Sequence, residues 1–398
     1  MRYAFFIVPA TGHLTPTLAV AQELVARGEE VVYYLPPREE PSVERTGATF
    51  RALGPAFKAP DENVESEKAT SFRESAPIIL RNMAEALRAT PALVERVRAE
   101  APDCIVYDPN CLWGRLVAEA LPARRAVFHT TYVMTDASPH SPTPRGRPSF
   151  DVLRALVELL WAAELLHWRH GFSRFRPSQL VHAAEGLNLV PLPKSFQADA
   201  DRLDDDRYVF FGPSIGERGA PDDFPLERLE GKPTLYISLG TTLLGRQPHV
   251  YKACFEAFGG SAWQGVLATS GMSSSQLGPA PDNFIVRGHV PQLAVLERAQ
   301  VFITHGGMGS TMEALWHGVP LVVLPQIPEQ EVTAARVEEL GLGVSLASEN
   351  VRPDALRRAV ETVRDPAYKA RALAMQAAVR GAGGYARGAD ALQRYVAR

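Results

Sequence analysis

The sequence predicts an α/β protein made of two doubly wound parallel sheets. Three observations predict it. Short apolar runs alternate with segments of helical period, the pattern that produces strand–helix–strand units. The alternation is interrupted once, by PSIGERGAPDDFPLERLEGK (213–232), rich in proline, glycine and charge, and then restarts. The chain of 398 residues is long enough for two domains of ordinary size. The expected division is a domain at 1–212, a linker at 213–232 and a second domain at 233–380. A helix at 381–398 is expected to pack back on the first domain.

Each element follows from its residues. YAFFIV (3–8) has strand length and composition. The loop PATGHLTP follows, and Thr15 is placed to cap a helix opening at Pro16, where a missing N–H costs nothing. TLAVAQELVAR has helical period and Gly28 ends it. EVVYYLP (30–36) completes a βαβ unit. DCIVYDP (103–109) and RRAVFHT (124–130) are strands, and ALVERVRAEAP (92–102) and WGRLVAEAL are helices. A proline-rich loop spans 139–148, an apolar-rich helix 151–170. GLNLVPL (186–192) and YVFFGP (208–213) are strands. Beyond the linker, TLYISLG (234–240), WQGVLAT (263–269), NFIVRGHV (283–290), VFITHG (301–306) and PLVVLP are strands. HVYKACFEAFG, STMEALWHG (310–318), TAARVEELGLG and YARGADALQRYVAR are helical.

Composition excludes several classes. A formal net charge of -3 gives no general attraction to nucleic acid. Cys104, Cys111 and Cys254 are odd in number and widely spaced, match no zinc or disulfide framework, and fit a reducing cytoplasm. MRYAFFIVPATGH lacks a small-residue cleavage site and reads as a first strand rather than a signal peptide. No run approaches the ~18 apolar residues of a membrane span.

In open α/β sheets ligands bind beyond the carboxyl ends of the strands, and two such domains facing each other make a cleft. Two loops of the second domain suit phosphate. VFIT-HGGMG-STMEAL reads strand, glycine turn, helix: the glycines allow close backbone approach, and a helix N-terminus presents unpaired N–H groups. Ser310 and Thr311 add hydroxyls, and His305 at the strand tip can donate to a phosphate oxygen. Glu313 can accept from ribose hydroxyls, or simply favour the helix dipole. SLGTT (238–242), with Ser238 and Thr241, is a second phosphate candidate or a plain polar turn. Neither loop is the dinucleotide fingerprint or a P-loop.

HVPQLAVLERAQVFITHGGMGSTMEALWHGVPLVVLPQIPEQEVTAARVEELGLG (289–343) closely resembles the donor-binding signature of glycosyltransferase family 1, and most closely its bacterial macrolide-type members. PATGHLTPTLAVAQELVARG resembles the family's start, so the resemblance covers essentially the whole chain. It implies the GT-B fold, two Rossmann-like domains facing across a cleft. It also implies inverting, metal-independent transfer of a sugar from a nucleotide diphosphate sugar, UDP- or TDP-linked, with no cofactor. By resemblance, His305 contacts the diphosphate with Gly307, Ser310, Thr311 and Ser238. Glu313 holds the ribose, Glu329 and Gln330 in PQIPEQ contact sugar hydroxyls, and Val290 and Gln292 flank the base. His289 stands where many relatives have tryptophan, and Thr333 where many have asparagine. Gly306 stands where many have alanine, a difference expected to be harmless.

His13 follows the first strand. An acceptor hydroxyl is a poor nucleophile, and a positioned imidazole can take its proton during attack. Asp108 ends another first-domain strand and can hold the tautomer and stabilise the imidazolium. By resemblance these two are the family's dyad. The developing charge on the leaving diphosphate would fall on the helix expected to begin at Ser310. The acidic run Asp204–Asp206 reads as a solvated surface run, not a metal site.

The acceptor should meet the first domain, around Phe57–Phe72, Pro109–Trp113, Thr131–Met134 and 139–175. The apolar content there suits a lipophilic macrolide, polyketide or flavonoid, although any α/β core also needs aromatics. HWRHGFSRFRPSQ (167–179) is basic and aromatic, fitting a solvated helix end, a membrane surface or an anionic acceptor. The leading expectation is a glycosyltransferase, monomeric or homodimeric, using UDP-glucose. A sugar-nucleotide epimerase of the same fold and a non-catalytic nucleotide-sugar binder are the alternatives. Intact His13 and Asp108 weigh against the binder.

Overall fold

The computed structural model describes residues 1–58, 72–134, 148–176, 183–203, 206–216, 223–240, 247–272, 274–349 and 351–398. The chain divides into two compact units. The first holds the described residues up to Gly216 together with Ala382–Arg398, and the second those from Glu217 to Gly381. The division falls inside the stretch read as a linker. Phe224 and Leu229 in that stretch are buried, so its end is part of the second unit rather than a free tether.

The first unit is built on seven parallel strands, β1 (Arg2–Phe6), β2 (Glu30–Leu35), β3 (Thr49–Ala52), β4 (Cys104–Tyr107), β5 (Arg124–Phe128), β6 (Leu187–Val190) and β7 (Tyr208–Phe210). Their order is β3-β2-β1-β4-β5-β6-β7. Strands buried on both faces need no polar alternation, which is why YAFFIV is apolar throughout. Tyr3, Phe5 and Ile7 point into one core layer, and Ala4, Phe6 and Val8 into the other. The helices are α1 (Thr11–Ala26), α2 (Glu40–Glu44), α3 (Phe72–Glu100), α4 (Leu112–Ala120) and α5 (Phe150–His170).

Two helix boundaries correct the sequence reading. α1 begins at Thr11, with Ala10 as N-cap and Pro16 inside the helix, so Thr15 is not the cap. The amides of His13 and Leu14 both donate to the Ala10 carbonyl at 2.9 Å, closing the first turn ahead of the proline. α3 begins at Phe72, twenty residues before Ala92, and carries Pro77 and Pro91 within it. Those prolines hide its period.

The second unit repeats the design with β8 (Thr234–Ser238), β9 (Gln264–Ala268), β10 (Phe284–Arg287), β11 (Ala299–Thr304), β12 (Leu321–Val323) and β13 (Gly343–Ser345). All are parallel, in the order β10-β9-β8-β11-β12-β13. Its helices are α6 (Pro248–Phe258), α7 (Ser274–Leu277), α8 (Gln292–Leu296), α9 (Met308–Trp316), α10 (Pro328–Glu339), α11 (Pro353–Val363) and α12 (Pro366–Gly381). The last helix, α13 (Gly384–Ala397), lies in the first unit, where Ala389, Ala391 and Leu392 join the core layer of Val20 and Phe211.

Both sheets have the doubly wound order. Each has a switch point, between β1 and β4 in one and between β8 and β11 in the other, where the chain turns away to opposite sides. The strands end level there: Phe6 pairs with Tyr107, and Ser238 with Thr304. Residues that leave those strands emerge side by side.

Candidate active site

At the first switch point, Asp108 leaves β4 with its amide bonded to the Phe6 carbonyl at 3.0 Å, and its side chain is fully buried. A buried carboxylate must be satisfied by donors. Here Oδ1 accepts from the Asn110 amide at 2.9 Å, and Oδ2 lies 2.5 Å from Nδ1 of His13. His13 sits in the first turn of α1, not in a loop, with 21% of its side chain exposed. Thr130, just past β5, places Oγ1 3.1 Å from the same Nδ1. An ionised carboxylate only accepts, so the proton on His13 belongs on Nδ1 and the lone pair on Nε2.

At the second switch point, His305 follows β11 beside the loop that leaves β8. Burial lowers its pKa to about 4, opposed by a hydrogen bond with the Ser238 backbone. The ring is therefore neutral at neutral pH and can act as a donor without charge. It is cradled by two glycines. A Cβ on Gly240 would come 2.7 Å from His305 Nε2, and one on Gly307 would overlap the same atom. Gly240 also has φ +89°, the left-handed region that favours glycine.

Gly306 corrects an expectation. Its φ is +85°, and a Cβ would lie 2.7 Å from Val323 Cγ1. In this backbone alanine is not a harmless replacement.

α9 begins at Met308, two residues before Ser310, with Gly307 as N-cap. The Thr311 amide already donates to the Gly307 carbonyl at 2.9 Å. Its side chain is fully buried, with no hydrogen-bond partner for the hydroxyl among the described residues. Ser310 stays half-buried. Glu313 is 5% exposed, and its Oε2 accepts from Gln292 Nε2 at 2.6 Å. The same amide nitrogen lies 3.3 Å from Ser310 Oγ, while Gln292 Oε1 accepts from Tyr236 at 2.9 Å. Gln292 thus ties the α9 carboxylate to β8. Val290 is half-buried and His289 exposed.

Glu329 and Gln330 lie in the first turn of α10, which opens with Pro328. Gln330 is buried and its Oε1 accepts from the Gln326 amide at 2.8 Å, bracing the loop before the helix. Ser238 is buried at the end of β8. Thr241 lies outside the described residues, as do Asp204, Asp205, the bulk of Phe57–Phe72, and 177–179. Among the acceptor candidates, Phe57, Trp113 and Tyr132 are core residues, and the first two pack edge-on with centroids 5.8 Å apart. Among the described residues no three His, Cys, Asp or Glu cluster as a metal site, and no helix is long and apolar enough to cross a membrane.

The sequence reading missed Thr130 and Tyr236. Thr130 carries the signal that picked out Asp108, a polar residue at the tip of an apolar run.

Comparison with known proteins shows the family of the chain. Residues 264–382 match the family described as erythromycin biosynthesis protein CIII-like, C-terminal domain. The NDP-glycosyltransferase YjiC of Bacillus subtilis (strain 168) is 35% identical over 98% of this chain and 96% of its own length. A demethyllactenocin mycarosyltransferase of Streptomyces fradiae is 33% identical over 98% of this chain and 85% of its own. Among solved structures, the glycotransferase of kitacinnamycin superposes with a TM-score of 0.80 at 30% identity, covering 99% of this chain and 98% of that one. The chain therefore belongs to the bacterial macrolide-type branch of glycosyltransferase family 1 and is a sugar-transferring enzyme of GT-B fold.

Proposed function

We propose that the protein transfers a sugar, glucose from UDP-glucose in the first instance, to a hydroxyl of a lipophilic natural product, with inversion and with His13 as general base. The observation that carries this reading is the 2.5 Å contact between His13 Nδ1 and a fully buried Asp108. A protein that only binds a nucleotide sugar has no use for an imidazole oriented in this way.

In the proposed reaction the acceptor hydroxyl lies at His13 Nε2. As its oxygen attacks the anomeric carbon, the proton passes to Nε2, and Asp108 stabilises the imidazolium that forms. The bond from the anomeric carbon to the diphosphate oxygen breaks on the opposite face, so configuration inverts. The leaving diphosphate accumulates charge beside the α9 N-terminus, the neutral donor His305 and the Ser310 hydroxyl. The absence of side chains at Gly240 and Gly307 makes room for the His305 ring, and so holds this donor in place. Glu313, fixed by Gln292, offers an acceptor to ribose hydroxyls. These groups supply charge stabilisation without a metal.

A lipophilic natural-product acceptor is supported by the relatives' names, one of them a demethyllactenocin mycarosyltransferase. Three buried free thiols accord with a reducing cytoplasm. The test is a metal-free incubation with UDP-glucose, then TDP-sugars, against pooled macrolides, flavonoids and anthraquinones, read by product mass and anomeric configuration. A hexose added in the inverted configuration is expected. Retained configuration, or donor turnover with no acceptor consumed, would overturn the reading.

A further inference from the structure

The tip of β9 carries a strained residue. Thr269 to Met272, TSGM, form a tight turn in which the Met272 amide donates to the Thr269 carbonyl at 3.1 Å. Both central residues are left-handed, Ser270 at φ +54° and Gly271 at φ +78°. That is the sign pattern of a type I′ turn, whose first central position favours asparagine or glycine. Serine stands there instead. Among the described residues of the second unit it is the only residue other than glycine with a positive φ. Strain of this kind persists where the surrounding structure holds it, and it gathers at functional sites.

Ser270 is held on both sides. Its hydroxyl donates to the Gly240 carbonyl, and its amide donates to the Gly288 carbonyl at 3.1 Å. The strand register brings these partners within reach. In the order β10-β9-β8, Ala268 pairs with Arg287 on one side and with Ser238 on the other. Gly240 and Ser270 lie equally far beyond that rung, and Gly288 just beyond it. Gly240 cradles His305, placed against the diphosphate in the function proposed above. Gly288 leads into His289 and Val290, the loop assigned to the base.

We propose that Ser270 is a positioning residue whose hydroxyl sets the spacing between the base loop and the diphosphate loop of the donor site. This deepens the function proposed above and rests on its assignment of both loops to the nucleotide. The tie to Gly288 runs through the main chain, so any residue keeps it. The tie to Gly240 needs a side-chain donor of serine's reach. Glycine would suit the turn better and supplies no donor. A ligand that spans both loops gains from their fixed separation, whereas one that meets a single loop does not.

Ser270→Gly removes the hydroxyl and relieves the left-handed strain, so its thermal midpoint should equal or exceed that of the parent. Ser270→Ala removes the hydroxyl and keeps the strain. Calorimetry should show both variants binding UDP about five- to tenfold more weakly than the parent, the worth of one neutral hydrogen bond. Uridine alone and pyrophosphate alone, followed by ligand-observed NMR, should bind variants and parent alike. A serine that merely stabilised the turn would move the midpoint and leave UDP affinity unchanged. If Ser270→Ala does not fold, Ser270→Gly carries the test. Parental UDP affinity in the folded variants would overturn the proposal and leave the donor site standing. So would a loss of the same size with uridine or pyrophosphate alone, which would make Ser270 a support of one loop. A parent that binds neither UDP nor TDP would overturn the donor assignment, and the proposal with it.

Discussion

The two switch points share one topology and hold two opposite histidines. His13, on the first sheet, keeps a fifth of its surface in water and rests on a buried carboxylate. His305, on the second, is held by a backbone group and two glycines, and burial keeps it uncharged. The strand order supplies the same address in both units. The neighbours decide the chemistry: a carboxylate partner orients the imidazole of His13, whereas two glycines and desolvation leave that of His305 a neutral donor.

The largest expected effect tests the first histidine. His13→Ala and Asp108→Asn should each lower transfer by about 10²–10⁴-fold, while calorimetry shows donor binding retained. If either variant instead lost donor affinity at full turnover, the division of labour between the switch points would be wrong.

Acid stability sharpens the contrast through a third histidine. His129, 3% exposed in the first unit, also has its pKa lowered by burial to about 4, so it is neutral when folded. The unfolded chain binds a proton near the ordinary value of 6.5, so stability is present above that pH and is lost as pH falls towards 4. Two and a half units correspond to about 3 kcal/mol from His129. His129→Gln should flatten urea-unfolding stability across that window, and an unchanged slope would remove His129 from the account.

Gly306→Ala should cost about 1–3 kcal/mol of stability, from a left-handed backbone and the contact with Val323. A thermal midpoint equal to that of the parent would show that the loop relaxes. The smallest effect belongs to His305→Asn, which should lower kcat/KM for the donor about tenfold, the worth of one neutral hydrogen bond, with part of the loss in turnover because the leaving diphosphate gains charge beside this donor. A loss of turnover as large as that of His13→Ala would collapse the comparison.

Much of this was legible in the sequence because parallel strands are continuous apolar runs, and the polar residues at their tips stand out. Asp108 and His305 are such tips, whereas His13 stands in the first turn of α1, beyond the loop that follows β1. The start of α3 was not legible because Pro77 and Pro91 interrupt its period, and β3 and β13 are short enough to pass as loops. α11 was readable from Leu356, Ala359, Val360 and Val363, at helical spacing and buried, yet it was passed over. The start of α9 lies two residues before Ser310, because the glycine turn is shorter than the sequence suggests. The positive φ of Gly306 and the placement of Thr130 beside His13 are tertiary facts, fixed by the register of neighbouring strands.

The return of α13 to the first unit has a consequence for biosynthesis. Ala389, Ala391 and Leu392 complete a core layer that otherwise comes from residues before Gly216. The unit translated first cannot close until the whole second unit has been made, a wait on the order of ten seconds or more at ordinary elongation rates. During that wait Val20 and Phe211 lack their cover. The first unit to emerge is then the last to finish folding, and the nascent chain carries that open apolar seam to a chaperone or to its neighbours on the same message.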